Sequence, residues 1–211
     1  MAKSELSYTL LGDGSSDRAL MPLLDWSLRR CGFMGTVRPV FADLHPLRKR
    51  PCGLSERIKA SVSLYPCDLL FVHRDCETDT VTKRVSEIND AIKGAFPEKQ
   101  PLYVCVVPRR MTEAWLLIDE AAIRSASGKP TGGVALAVPR PQDLENIPDP
   151  KALMFDLLRQ ASGASGRRLR DLPVHKLVHR ISELITDFSP LVHLPAYSEF
   201  SSALAKFIKS Y

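Results

Sequence analysis

Two hydrophobic rhythms alternate along the first 120 residues. "LSYTLLG" (6–12), "CDLLFVHRD" (67–75) and "PLYVCVVPRR" (101–110) are apolar runs of strand length, a pattern that suits strands covered on both faces. "TVRPVFADL" (36–44) is a weaker strand, because Pro39 argues for a sheet edge or a bulge. Between these runs the apolar spacing becomes helical. "SSDRALMPLLDWSLRRCG" (15–32) places Leu20, Leu23, Leu24 and Leu28 on one face and closes at Gly32. Pro22 fits the first turns of that helix if Asp17 stands near its cap, and otherwise kinks it. "GLSERIKASVSLY" (53–65), with Ser55 as cap, and "DTVTKRVSEINDAIKGAF" (79–96) read as the next helices. "MTEAWLLIDEAAIRSASG" (111–128) follows as one helix ending at Gly128.

Strands separated by helices predict a parallel α/β sheet with both faces covered. The Pro- and Gly-rich stretch 129–150 breaks the rhythm and reads as a linker or insertion with at most a short strand. Helices are expected over 151–162, 174–188 and 197–211. This gives an α/β domain over 1–128, the linker, and a helical C-terminal region over 151–211 packed on the first domain.

Composition narrows the classes. The 211 residues are 45% hydrophobic and 25% charged, ordinary for a globular chain. There is no apolar run of membrane-spanning length and no secretory leader, so a cytoplasmic location without a membrane partner is expected. Five cysteines, none spaced as CxxC, read as reduced thiols. The net charge is +5, and residues 151–211 carry nine Lys or Arg against five Asp or Glu. Most of the excess therefore lies in the last third. Arg48, Lys49 and Arg50 form one basic cluster, and Arg167, Arg168 and Arg170 another. Such clusters are either solvated loop charge or contacts to a nucleic-acid backbone.

The acids carry the chemistry. In open α/β sheets ligands bind beyond the carboxyl ends of the strands. Asp13 and Asp17 follow the first strand, Asp75 and Glu77 the third, and Glu113 the fourth. Each has an ordinary role when taken alone: a turn residue, a helix cap, a charge at a helix start. Their coincidence at three strand ends points to a shared site. Clustered carboxylates repel unless a cation neutralises them, and an all-oxygen set suits Mg²⁺ or Mn²⁺. Arg74 and Arg109 stand beside the acids to hold a phosphate. His73 is expected to be structural and Trp115 to lie in the core. Neutralising one acid, as in Asp75→Asn, is expected to relieve repulsion in the metal-free protein.

"LLGDGSSD", "LLFVHRDCE" and "VPRRMTEAWLL" resemble the motifs of the Toprim superfamily, named for topoisomerases and primases. The likeness is to its bacterial DUF4276 branch, which is similar to the nucleases of overcoming-lysogenization-defect proteins. It covers about residues 6–120. The resemblance implies a Toprim-like, Rossmann-like fold and metal-dependent cleavage of nucleic acid, in a setting of bacterial defence against phage or mobile elements. It implies Asp13 as general acid/base, with Asp75, Glu77 and Glu113 around the metal. Asp13 stands where the family usually has Glu, and Glu77 where it has Asp. A second reading is a non-catalytic nucleic-acid-binding or regulatory module with a partner ATPase. The chain has no GxxxxGK[ST] of its own, so any ATP use belongs to another protein.

Overall fold

A computed structural model describes residues 4–211. Four strands, β1 (Glu5–Leu11), β2 (Thr36–Phe41), β3 (Leu69–His73) and β4 (Tyr103–Val106), form one parallel sheet in the order β2-β1-β3-β4. The chain leaves β1 for β2 on one side and crosses back to β3 on the other. The crevice beyond the carboxyl ends of β1 and β3 is thus the point where the direction of winding reverses. β3 is buried at every position, as its unbroken apolar run requires. β2 is the edge strand that Pro39 demands.

The described residues form eight α-helices: α1 (Met21–Arg30), α2 (Leu54–Leu64), α3 (Val81–Ala95), α4 (Glu120–Ala126), α5 (Pro150–Ser162), α6 (Gly166–Arg170), α7 (Val174–Leu184) and α8 (Pro195–Ser210). Alternate strand residues serve two cores. Leu11, Leu70 and Val72 pack with Ile58 of α2 and Ile88 and Ile92 of α3. Tyr8, Leu10 and Phe71 face the larger core, with Leu23 and Leu24 of α1, Leu157 of α5, Ile181 of α7 and Leu204 of α8. At its centre Phe71 meets Tyr8 at 5.1 Å and Phe200 at 6.2 Å between ring centroids, and Trp115 meets Tyr197 at 5.7 Å. The C-terminal helices thus share one core with the sheet. None of the helices among the described residues is long and apolar enough to cross a membrane.

Several elements differ from the expectation. Residues 15–32 are not one helix: a 3-10 turn, Ser15–Leu20, precedes α1, which places Pro22 in the first turn of α1, where its missing N–H costs no bond. Gly53, not Ser55, precedes α2 as its cap. The expected helix 111–128 is split into a 3-10 turn, Thr112–Trp115, and the separate α4, started by Asp119, whose carboxylate accepts the Ala122 N–H at 2.9 Å. The reason is burial: residues 112–117 are all enclosed, so no solvent-facing side remains for a surface helix. The linker carries a 3-10 turn, Pro141–Asn146, and no strand. The short α6 lies where no helix was expected.

Candidate functional site

The turn after β1 supplies the first two acids. Gly12 is required there, because a Cβ on it would meet the Asp17 Cβ at 2.6 Å and Oδ2 at 2.7 Å. Gly14 has extended backbone and open space, so it carries no such demand. Asp17 folds back over the turn and accepts the Gly14 N–H at 2.9 Å and the Ser16 hydroxyl at 3.2 Å. Asp13 points the other way. Its Oδ1 accepts from Arg57 Nη1 of α2 at 3.2 Å and its Oδ2 from Arg74 Nε at 3.0 Å. Arg57 also donates to the Gly12 carbonyl.

Behind this turn lies His73, fully buried at the end of β3. Its Nδ1 donates to the Val106 carbonyl at 2.9 Å. That bond leaves Nε2 facing Thr112 Oγ1 at 3.2 Å, Asp75 Oδ1 at 3.3 Å and Asp17 Oδ2 at 3.7 Å. Burial alone would lower the imidazole pKa. The hydrogen bond that His73 donates to Asp75 and the charges of Asp17, Asp75 and Asp13 outweigh it and push the pKa up to about 9. His73 is therefore the imidazolium that neutralises Asp17 and Asp75. Thr112 fixes Asp75, donating its backbone N–H to Oδ1 at 2.9 Å and its hydroxyl at 3.4 Å.

Glu113 is buried beside this group. Burial raises its pKa, Lys151 works against that rise, and the charges of Asp75 and Asp17 add to it. Lys151 Nζ, from α5, stands 4.0 Å from Glu113 Oε1. His179 of α7 lies within electrostatic reach of Asp17. Burial and the charge of Arg18 lower its pKa, and Glu183 and Asp17 oppose them.

Asp17, Asp75 and Glu113 thus lie around His73 and Thr112, while Asp13 faces two guanidinium groups. Glu77 stands apart. It is exposed, in left-handed backbone at φ 52°, and its carboxylate is 3.9 Å from Arg84. Arg110 is also left-handed, at φ 73°. The two loops clasp each other: the Glu77 N–H donates to the Arg110 carbonyl at 2.8 Å, and Arg110 Nη1 to the Glu77 carbonyl at 3.1 Å. Strained pairs of this kind persist where surrounding structure holds them. Arg109 does not reach the acids as expected. It is exposed and its charge acts on Glu145, which caps the start of α8 by accepting the Ala196 N–H at 3.0 Å.

The five-carboxylate metal constellation is not assembled as such. Among the described residues no three His, Cys, Asp or Glu side chains are arranged to hold an ion. The basic clusters also separate. Arg50 lines a cleft beside Asp13, together with Arg57. Arg48 and Lys49 are exposed in the same loop. Arg167, Arg168 and Arg170 lie on α6, exposed, with Arg167 paired to Asp171 at 3.3 Å.

Sequence reasoning missed Arg57, Thr112, Lys151 and His179 as parts of the site. Only Thr112, adjacent to Glu113, carried a local signal. Neither a protein-family model, nor a curated protein, nor a solved structure matches the chain.

Proposed function

We propose that the protein is a Toprim-type phosphodiesterase that cleaves nucleic acid at the carboxyl edge of its sheet, with Mg²⁺ or Mn²⁺ as cofactor. The observation that carries this reading is the set of carboxylates, Asp17, Asp75 and Glu113, brought together from three strand ends. Asp17 and Glu113 are buried, Asp75 half-buried; carboxylates out of water oppose folding, and these stand where ligands of parallel sheets bind. Their donors are all oxygen, which suits a hard divalent ion. In the present arrangement those oxygens are turned on Gly14, Thr112, His73 and Lys151, so holding an ion requires them to re-aim. A bound ion supplies positive charge at the scissile phosphate and lowers the pKa of attacking water. Arg57 and Arg74, already convergent on Asp13, offer guanidinium donors to phosphate oxygens.

One observation favours a second reading. Every acid of the group already has a cationic partner in the protein: Arg57 and Arg74 for Asp13, His73 for Asp17 and Asp75, Lys151 for Glu113. A site satisfied in this way also suits a non-catalytic nucleic-acid-binding module working with a partner ATPase. Incubation of single- and double-stranded DNA and RNA with the protein, in Mn²⁺ or EDTA, separates the two. The nuclease reading expects metal-dependent cleavage that falls by at least about 100-fold in Asp75→Asn, with binding kept. Binding of nucleic acid with no cleavage under any condition assigns the second reading.

A further inference from the structure

The carboxyl edge carries a second feature beside the acids. A shallow cleft of about 120 Å³ opens where β1 and β2 end, smaller than a pocket that encloses a whole ligand, so a ligand seated there stays partly in solvent. It is lined by the backbone of Gly12 and Gly14, by Phe41, and by His45, Arg50 and Arg57. Two carboxylates also line it: Asp13, paired with two guanidinium groups, and Asp43, which accepts the His45 backbone N–H at 3.0 Å and keeps its charge. Arg50 is exposed, and no carboxylate of the described residues lies within 4.0 Å of its guanidinium. The cleft thus presents a free cation. Phe41, half-buried at the end of β2, holds the Arg18 guanidinium 5.2 Å from its ring centroid. Aromatic surface, cation and exposed backbone at one cleft suit a base, which stacks, and a phosphate, which pairs with guanidinium.

We propose that this cleft is a mononucleotide subsite. It takes the nucleotide of a nucleic-acid chain that flanks the scissile phosphate, with its phosphate on Arg50 and Arg57 and its base against Phe41. The assignment rests on the phosphodiesterase reading of the neighbouring acids, because Asp13 is the wall that cleft and acids share. It adds what that reading lacks, a reason for the enzyme to grip one nucleotide as a unit rather than the backbone alone.

Titration calorimetry of the whole protein in EDTA at low salt tests it. The ligands are a nucleoside monophosphate, the bare nucleoside and inorganic phosphate. The monophosphate is expected to bind at least about tenfold tighter than either. Arg50→Ala should weaken it about tenfold. Phe41→Leu, which keeps the apolar packing, should weaken the monophosphate and leave phosphate unchanged. A short phosphorothioate oligonucleotide should compete for the same site. Equal affinity for phosphate and monophosphate, indifference to Arg50→Ala, or failure of the oligonucleotide to compete overturns the subsite. The cleavage assay reads a different quantity. Mononucleotide binding by a protein that never cleaves sinks the activity and keeps the cleft, and cleavage by a protein blind to mononucleotides does the reverse.

Discussion

Asp13 and Asp17 belong to one turn, four residues apart, and the fold treats them in opposite ways. The Asp13 side chain is 37% exposed and meets Arg57 and Arg74 at the surface, where water and salt weaken each contact. The Asp17 side chain is 7% exposed and shares the buried His73 imidazolium with Asp75, whose own side chain is 26% exposed. There the same charges act through a lower dielectric and depend on one another. The outer acid is held by partners that a ligand can displace at small cost. The inner acids are part of what holds the end of β3 to the turns after β1 and β4. A phosphate would therefore be exchanged at the outer layer, with the inner layer as its fixed background.

The largest test of this contrast is His73→Gln, read by calorimetry in EDTA. The folded pKa of about 9 lies above the ordinary 6.5. The stabilisation is therefore complete below pH 6.5 and is lost as pH rises through about 9. It amounts to something on the order of 3 kcal/mol, or roughly 6–12 °C for a chain of this size. The wild type should lose that much melting temperature from pH 6 to 9.5. The variant should start lower and show a flatter decline. Equal declines in the two proteins would remove His73 as the buried cation.

A smaller effect separates two inner acids by sign. Burial raises the Glu113 pKa, so its charged form opposes folding above that pKa and the penalty disappears below it. Glu113→Gln should raise the melting temperature at pH 7 by about 2–4 °C, the equivalent of about 1 kcal/mol. Asp75→Asn should lower it, because the carboxylate that pairs with His73 is removed, at a cost of about 1–3 kcal/mol. This reverses the expectation that neutralising Asp75 relieves repulsion, since the imidazolium already offsets it. Shifts of the same sign for the two variants would mean that both acids sit in one environment.

The smallest effect belongs to the outer acid. Asp13→Asn, which leaves the Arg57 bond to the Gly12 carbonyl in place, should cost at most about 1 kcal/mol at low salt. Near 1 M NaCl, where screening acts within about 3 Å, the loss should vanish. A loss that persists at high salt would place Asp13 in the inner layer.

The strands and their order along the chain were legible because β1, β3 and β4 are apolar runs covered by helices on both faces. The strand-end rule placed Asp13, Asp17, Asp75 and Glu113 on one edge. It could not say which way each side chain turns, because for Asp13 and Glu113 that depends on Arg57 and Lys151, which come from distant helices. His73 was read as structural, and its charge was invisible in sequence: it depends on two carboxylates within 3.7 Å. "MTEAWLLIDEAAIRSASG" misled because Ala, Leu, Glu, Met and Arg, strong helix formers, make up more than half of it. Only its complete burial up to Leu117 and the cap at Asp119 divide it.

The stacking of Tyr197 and Phe200 on Trp115 and Phe71 also has a consequence for the chain's synthesis. The sheet and Trp115 leave the ribosome before α8 has been made. A nascent chain with all four strands therefore presents an aromatic face that its own sequence will cover only later. At roughly 5–20 residues per second, the interval between the emergence of Trp115 and that of Phe200 lasts on the order of 4–20 s. During those seconds the half-made protein has the adhesive surface of an intermediate, and chaperone capture of stalled chains should fall sharply once α8 has cleared the exit tunnel.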